Sequence, residues 1–449
     1  MTRPRTNWIF SVSLALCFSS ALCISSQTLA RPGWVGSGLT AQTWFKHGIF
    51  YKIDTRTFAS SKADSGTGDL KGITQRLDYI HSLGVDAILL KPLSTAGQPT
   101  AIDPTLGTLD DLDDLTLQAS RLKIRVLLEL TAPDPAIARV WLTRGIAGFY
   151  VPGNSALNAS DIEAIRKLLP TFVGQRVLIT DSDLSASKAS ATDLFLDRVT
   201  LQPTASSVPS LRSAMEQSQT LHRSGTLVFE VDGRSGEDEH LARILATVAL
   251  LNRSATLITA GQELGLSSTT RSSALMPWGQ PLAAVAEEVP EPPKPAAPVT
   301  STPDKYTPYV PYVRPAAPKK PPPPDPTTAA GQDSNPNSLL NFYRQLSRLH
   351  HGTTALHDGE ETTFNHDDRD SLIWIRKPSS PSQTNPPVLI ACNLSDKPVA
   401  LSLKSDVADL RLHGNFLRTI LRSDDLMGGV SLDPITLPPY GVYVGSLRY

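Results

Sequence analysis

The sequence has no excess of charge of either sign, since 42 Lys and Arg residues stand against 43 Asp and Glu residues in a chain of 449. A protein that binds nucleic acid through its phosphates needs a basic surface, so this balance predicts no nucleic-acid partner. Cysteine is also scarce. Two of the three cysteines lie within the first 30 residues, which would leave Cys392 alone and allow no internal disulfide in the mature chain.

Long apolar runs are missing beyond the N-terminus, where the chain has a three-part pattern. A basic start precedes an apolar stretch that ends near residue 24, and Thr28-Leu29-Ala30 follows. This order predicts a signal peptide over 1–30, a mature start at Arg31, a secreted or periplasmic location and no membrane contact after cleavage. An uncleaved membrane anchor is the alternative, although the apolar stretch is shorter than a bilayer span requires.

From residue 44 to about residue 266, short apolar runs alternate with helix-patterned stretches, which predicts parallel strands connected by helices. Seven clear strands and a weaker eighth predict an α/β fold, a closed (β/α)₈ TIM barrel. The predicted strands are Gly48–Ile53, Val85–Leu90, Arg125–Leu130, Ala147–Val151, Arg176–Thr180, the weak Leu194–Val199, Thr226–Val231 and Thr256–Thr259. Such barrels carry their active sites at the carboxyl ends of the strands, so the residues after each run are the candidate site.

The rest of the chain divides into three parts. Fifteen of the 37 prolines fall between 290 and 326, and 289–332 is predicted to be a proline-rich disordered insertion. Its Tyr306, Tyr309 and Tyr312 would share one face of a polyproline helix, either as a docking site for a protein partner or within a plain spacer. Residues 31–288 and 333–352, with a helix over Ser338–Leu349, are assigned to the barrel, and 353–449 to a C-terminal antiparallel β-sandwich.

Five stretches of the chain together carry a family likeness. They are WFKHGIFYKIDTRTFASSKADSGTGDLKGITQRLDYIHSLGVDAILLKPL at 44–93, VWLTRGIAGF at 140–149, ATLITAGQELGL at 255–266, SLLNFYRQLSRLH at 338–350 and PPYGVYVGSLRY at 438–449. In this order they resemble the α-amylase family, glycoside hydrolase family 13, and especially its α-glucosidase and maltogenic branches. The resemblance implies a (β/α)₈ barrel with a C-terminal β-sandwich that acts on α-linked glucose polymers or oligosaccharides by a retaining mechanism.

The family's catalytic positions are only partly kept. The resemblance places the nucleophile on Pro152, which has no side-chain oxygen, and the arginine that accompanies the nucleophile on Tyr150. The general-acid position falls on Asp181, one methylene shorter than the family's glutamate, and the stabilising carboxylate falls on Asp232. Either acid could instead be a helix cap or a solvated loop residue.

Further residues are candidates for contact with substrate. Glu129 and Asp134 stand in the third-strand motif, whose asparagine and histidine are replaced here, and Glu263 follows the eighth strand. Tyr51 and Tyr150 could stack on sugar rings or pack in the barrel rim.

The preferred interpretation is a secreted, catalytically degenerate family member, a pseudoenzyme of carbohydrate metabolism that binds α-glucan, maltooligosaccharide or a protein partner. The alternative is an active but atypical α-glucosidic hydrolase or transglycosylase, with Asp181 as acid and Asp232 or Asp183 as the second carboxylate. A third hypothesis is a non-enzymatic interaction protein that resembles the amylase-like heavy chains of amino-acid transporters. Asp64 and Asp69 are too few oxygen ligands for calcium, so neither a metal nor a cofactor is expected.

Overall fold

The fold comes from a computed structural model of the chain. The structure describes residues 44–62, 65–95, 97–130, 134–153, 159–181, 193–199, 207–221, 226–231, 239–279, 324–364, 370–424 and 426–448. The predicted signal peptide and the three tyrosines of the proline-rich insertion lie outside these residues. Within the described ranges, no helix is long and apolar enough to cross a membrane.

Eight parallel strands form a closed barrel in chain order. They are β1 Ile49–Ile53, β2 Ala87–Leu90, β3 Arg125–Glu129, β4 Gly148–Val151, β5 Val177–Asp181, β6 Leu194–Val199, β7 Thr226–Val231 and β8 Ala255–Thr259. β8 pairs with β1 and completes the barrel. The predicted barrel is confirmed, including the weak eighth strand, whose predicted ends coincide with those of β6.

Two layers of apolar side chains cover the two faces of the barrel wall. The interior layer is formed by every second residue of the strands, such as Phe50, Leu89, Leu127 and Ile179. The residues between them point outward and pack against the helices in a much larger cluster. This alternation also determines which residue at the end of each strand points into the barrel.

Helices connect the barrel strands, further helices follow β8, and the last helix lies in the C-terminal domain. Several of them begin at a residue whose side chain caps the first turn. The helices are α1 Thr55–Phe58, α2 Leu70–Gln75, α3 Leu77–Ser82, α4 Leu109–Arg121, α5 Pro135–Thr143, α6 Ala159–Leu168, α7 Ser207–Leu221, α8 Glu239–Leu251, α9 Ser268–Ser273, α10 Ala329–Ser334, α11 Leu339–Gly352, α12 Thr354–Asp358 and α13 Lys404–Asp409. At α4, Thr108 and Asp111 form a reciprocal capping box. α11 begins after Ser338, whose hydroxyl accepts a hydrogen bond from the Asn341 N–H. The predicted helix at this position is confirmed.

The barrel resumes earlier than the predicted end of the proline-rich insertion at residue 332. In α10 the N–H groups of Ala329 and Ala330 donate to the carbonyl oxygens of Pro277 and Trp278, and the Thr328 hydroxyl caps the helix. These bonds attach α10 to the segment that follows β8, so the predicted boundary falls inside a helix and is corrected. The sequence changes from proline to a helix cap and helix formers at TTAAGQDS, a local signal that proline density over a wide window does not show.

The C-terminal domain consists of two antiparallel sheets, as predicted. Its strands are β9 Glu360–Phe364, β10 Ser371–Lys377, β11 Val388–Asn393, β12 Val399–Leu401, β13 Phe416–Arg422, β14 Gly429–Ser431, β15 Ile435–Leu437 and β16 Val442–Arg448. The larger sheet has the strand order β14-β13-β16-β11-β10-β9, and the smaller sheet pairs β12 with β15.

The central strands of the larger sheet are buried on both faces, which explains their continuous apolar runs. One face, with Trp374 and Ile390, joins the apolar cluster of the barrel. The other face, with Ile375 and Leu389, packs in the core of the sandwich. Cys392 is a free cysteine on the first face, and burial raises the pKa of its thiol.

Arg376 joins the two domains at the amino-terminal end of the barrel. Its buried guanidinium donates to the carbonyl oxygens of Leu251 and Asn252, where α8 ends, and to that of Gly359 before β9. The Trp374 indole N–H also donates to the Leu251 oxygen. These donors satisfy helix-end carbonyl groups that would otherwise be unpaired inside the protein.

Candidate active site

The carboxyl ends of the barrel strands carry polar side chains that point inward. Lys52, Glu129 and Asp181 each lie two residues after an apolar residue of the barrel interior, at positions 50, 127 and 179. Because the side chains of a strand alternate between its two faces, these three share the interior face with the apolar layer below them. The candidate site therefore lies where the apolar interior meets the opening of the barrel.

Four side chains form a connected series across this opening. The Lys52 ammonium lies 3.6 Å from Glu129 Oε2 and 5.2 Å from the centroid of the Tyr150 ring. The Tyr150 hydroxyl donates a hydrogen bond of 2.7 Å to Asp181 Oδ1. The Lys52 and Glu129 side chains are 11% and 14% exposed, so water screens their interaction only weakly. Two carboxyl groups, on β3 and β5, are thus linked through a cation and an aromatic ring.

Burial controls the proton affinity of Glu129. Desolvation of the carboxyl raises its pKa, the ammonium groups of Lys52 and Lys91 act in the opposite direction, and the charge of Asp181 adds to the rise. The two carboxyl groups therefore interact electrostatically. Where two carboxyl groups lie close together and one has a raised pKa, that group can act as the acid and the other as the base or nucleophile.

The loop after β4 approaches Asp181 from a second direction. The Gly153 N–H donates a hydrogen bond of 2.8 Å to Asp181 Oδ2. A β-carbon at Gly153 would lie 3.3 Å from that oxygen, so glycine permits the close approach. Pro152, at the position expected for the nucleophile, precedes this glycine and has no side-chain oxygen. Asp232, expected as the stabilising carboxylate, lies outside the described residues.

Further charged pairs occupy the same end of the barrel. Lys91, after β2, lies 2.9 Å from an Asp54 carboxylate oxygen, and Arg56 lies 2.8 Å from one of Asp103. Each of these cations therefore has an acidic partner. Neither Lys52 nor Lys91 is among the residues predicted from the sequence, although Lys52 stands within the apolar strand IFYKI, where a lysine is a signal for a buried charge with a partner.

Tyr51 and Glu263 lie in the core and not at the opening, contrary to their expected contact with substrate. The Tyr51 hydroxyl donates a hydrogen bond of 2.6 Å to Glu263 Oε1, and the Tyr79 hydroxyl donates to the same oxygen at 2.8 Å. The Gly261 N–H donates to Glu263 Oε2. Tyr51 and Glu263 are completely buried, because Tyr51 points outward from β1 into the layer of helices. This carboxyl group is a structural acceptor.

Asp134 has a structural role at the start of α5, and its expected contact with substrate stays a prediction. Its carboxylate accepts a hydrogen bond from the Ala136 N–H and caps α5. Tyr150 is at the opening, but only 1% of it is exposed, so it contacts Asp181 and Lys52 and has no free face for a sugar. In the part of the chain that the structure describes, no group of three His, Cys, Asp or Glu side chains could hold a metal ion.

A sequence profile of the α-amylase catalytic domain matches residues 52–149, a segment that runs from β1 into β4. The predicted resemblance to the α-amylase family is confirmed. The matched segment of the α-amylase-like barrel contains Lys52 and Glu129 and ends just before Tyr150.

Curated relatives match only part of the chain. The trehalose-6-phosphate hydrolase of Escherichia coli (strain K12) is 40% identical over 112 residues, which cover 23% of this chain and 20% of that protein. Maltase A2 of Drosophila melanogaster is 34% identical over 130 residues, which cover 26% of this chain and 23% of that protein. The chain thus spans about a fifth of the length of the curated relatives that it matches.

Solved structures cover most of the α-amylase-like chain. The trehalose-6-phosphate hydrolase of Bacillus licheniformis gives a TM-score of 0.67 at 14% identity and covers 90% of this chain and 100% of its own. The isomaltulose synthase of Klebsiella sp. LX3 gives a TM-score of 0.65 at 15% identity and covers 90% of this chain and 99% of its own. At such low identity these matches establish the fold alone, a TIM barrel followed by a β-sandwich.

Proposed function

We propose that the protein acts on α-glucosides as an atypical hydrolase or transglycosylase, with Glu129 and Asp181 as its two carboxyl groups. The observation that carries the proposal is the coupling of these side chains at the ends of β3 and β5, where burial raises the pKa of Glu129. The names of the relatives, trehalose-6-phosphate hydrolase and maltase, support this reaction class. Together these points favour an active but atypical enzyme. The catalytic motifs alone favour a pseudoenzyme.

In this proposal Glu129 is the general acid. A carboxyl group with a raised pKa keeps its proton to higher pH and passes it to the glycosidic oxygen as the bond to the anomeric carbon breaks. The Lys52 ammonium then stabilises the carboxylate that remains. Asp181, whose oxygens are held by Tyr150 and Gly153, faces the positive charge on the sugar and either attacks the anomeric carbon or takes a proton from the attacking water.

Hydrolysis of maltose, trehalose and maltoheptaose by the purified full chain tests the proposal. Glu129→Gln and Asp181→Asn keep the size of the side chain and remove its acid–base function, so each should lower kcat/KM by about a hundredfold or more. Glu163→Gln, a half-exposed acid on α6, is the matched control and should leave kcat/KM unchanged. Activity that survives both replacements would exclude this pair. The anomer of the first product, observed by NMR, separates attack by Asp181 from attack by water.

Sugar binding without turnover is the second candidate function, and Pro152 is the observation that favours it. The position expected for the nucleophile has no side-chain oxygen, and Tyr150 stands where the family has a cation. In that case calorimetric titration with maltoheptaose should give saturable heat and no product. Sustained heat that disappears in Glu129→Gln would support turnover instead.

A further inference from the structure

We propose a second ligand site on the C-terminal domain, a groove in the larger sheet that binds a sugar phosphate. The groove has a volume of about 430 Å³ and is lined by Gln383, Phe416, Arg418, Gly429 and Arg448. It shares no residue with the carboxyl pair of the barrel. A ligand site in this groove therefore does not depend on the function proposed for the barrel.

The pairing of three strands brings the groove residues to one face of the sheet. On β13, Phe416 and Arg418 point away from the face of Leu417, which is buried in the core of the sandwich. Phe416 pairs with Arg448 on β16, and Arg418 pairs with Gly429 on β14. Because paired residues of adjacent strands stand side by side, the Phe416 ring and both guanidinium groups emerge on the same face.

Phe416 offers an uncovered aromatic surface. Its side chain is 42% exposed, and it is the one aromatic among the exposed large hydrophobic residues of the described ranges. Its neighbour Gly429 has no side chain to cover the ring, since a β-carbon there would lie 3.6 Å from Phe416 Cδ2. The apolar face of a sugar ring stacks on such a surface.

Two guanidinium groups flank this ring without an acidic partner in the groove lining. Arg448 donates to the Gln383 carbonyl oxygen, while its buried Nε has no hydrogen-bond partner in the described part of the chain. The nearby Arg422 differs, because it forms an ion pair of 2.6 Å with Asp424. Planar guanidinium groups bind phosphate oxygens through paired hydrogen bonds, so the charge of the groove favours an anion.

A sugar phosphate combines the two chemistries that the groove presents. Its ring fits the Phe416 surface, and its phosphate fits the guanidinium groups of Arg418 and Arg448. The volume of about 430 Å³ lies within the range of small-molecule sites. Glucose supplies only the ring and inorganic phosphate only the anion, so these two compounds separate the contributions.

Calorimetric titration of the full chain with glucose 6-phosphate tests the site. Glucose 6-phosphate should bind about tenfold more tightly than glucose or inorganic phosphate, because it engages the ring and the guanidinium groups together. Arg418→Gln should weaken its binding about tenfold, and Phe416→Ala should weaken it while leaving the affinity for inorganic phosphate unchanged. Lys404→Gln, an exposed lysine at the start of α13, is the matched control for loss of charge.

The remaining outcomes decide the proposal. Glu129→Gln should leave the affinity for glucose 6-phosphate unchanged, and a loss of affinity in that variant would place the ligand in the barrel and overturn the inference. If inorganic phosphate binds as tightly as glucose 6-phosphate, the sugar ring does not contribute to binding and the groove is not a sugar-phosphate site. Absence of binding, or binding that neither groove variant weakens, would also overturn it. Both groove residues are at the surface, and matched thermal unfolding curves verify that the variants fold.

Discussion

Glu263 accepts three hydrogen bonds inside the protein, from the hydroxyl groups of Tyr51 and Tyr79 and from the N–H of Gly261. Burial raises the pKa of this carboxyl group, and the hydrogen bonds from the two tyrosines oppose the rise. Its position after the last barrel strand is also the position of a site residue, which is why sequence alone gives it the wrong role. The hydroxyl groups that surround it come from distant parts of the chain.

Replacing Glu263 by Ala should lower the free energy of unfolding by about 3 kcal/mol or more, because three buried donors lose their acceptor. Tyr79→Phe removes one donor and should lower it by about 1–2 kcal/mol. Urea unfolding followed by tryptophan fluorescence measures both. Glu163→Ala on the surface is the control and should change the value by less than about 0.5 kcal/mol. A similarly small change for Glu263→Ala would contradict the role of structural acceptor.

At the candidate site, the sequence identifies Asp181, Glu129 and Tyr150 as separate candidates, but it does not show that they form one connected group. The run VLITD shows an acid at the end of an apolar strand, and strand ends are where a barrel carries its chemistry. The contacts from Lys52 to Glu129 and Tyr150 join three strands, β1, β3 and β4. They depend on the curvature and closure of the barrel, which a linear pattern of apolar residues does not contain.

Among the elements, β6 is a strand that the sequence pattern predicts correctly from a weak signal. Its sequence LFLDRV has only a short apolar segment, yet its place between two clearer strands makes it the eighth member of a barrel. α11 shows the limit. Its apolar spacing predicts the helix, but the pattern cannot show that His350 is buried, because that follows from contact with the Leu250 and His47 carbonyl oxygens.

The N-terminus of α11 gives a prediction at this scale. The Ser338 hydroxyl accepts from the Asn341 N–H and donates to the Gln332 carbonyl oxygen at 2.7 Å. Ser338→Ala removes both bonds and should lower the free energy of unfolding by about 1–2 kcal/mol. Ser405→Ala, in the exposed first turn of α13, is the matched control and should have little effect. An unchanged urea midpoint for Ser338→Ala would show that the cap does not contribute.

At the scale of the whole molecule, a group of histidines lies where the barrel and the C-terminal domain join. Neighbouring rings have centroid distances between 5.2 and 6.2 Å. The members of this group are His47, His350, His351 and His357. The charged groups that act on it are Asp86, Asp358 and Arg376, and the Arg253 carbonyl oxygen forms a hydrogen bond with His47 Nδ1.

Burial lowers the pKa of His47 to about 4 and that of His350 to about 3, and the nearby histidines and Arg376 act in the same direction. In the unfolded chain a histidine binds its proton near pH 6.5. Between that value and pH 4 the unfolded state therefore holds more protons than the folded state. The contribution of these two neutral histidines to stability is fully present above the pKa of the unfolded state and is lost as the pH falls below that value.

The free energy of unfolding should consequently fall by on the order of 3 kcal/mol between pH 7 and pH 5. Urea unfolding at several pH values measures this slope. His350→Asn, which cannot titrate in this range, should reduce the fall by about half. The exposed His413 is the matched control, and His413→Asn should leave the fall unchanged. A stability that does not change between these pH values would contradict the neutral, buried state of both histidines.

The hydrogen bonds of Arg376 have a consequence for how such a chain can evolve. Its guanidinium is part of the sandwich, yet the carbonyl groups that it satisfies belong to the last turn of a barrel helix. A barrel separated from its C-terminal sandwich would lose the guanidinium donor of those carbonyl groups and would expose the apolar surface under Trp374. The two domains are therefore poor units for exchange or loss by recombination. A lineage can change the chemistry at the open end of this barrel far more freely than it can discard the sheet attached to the other end.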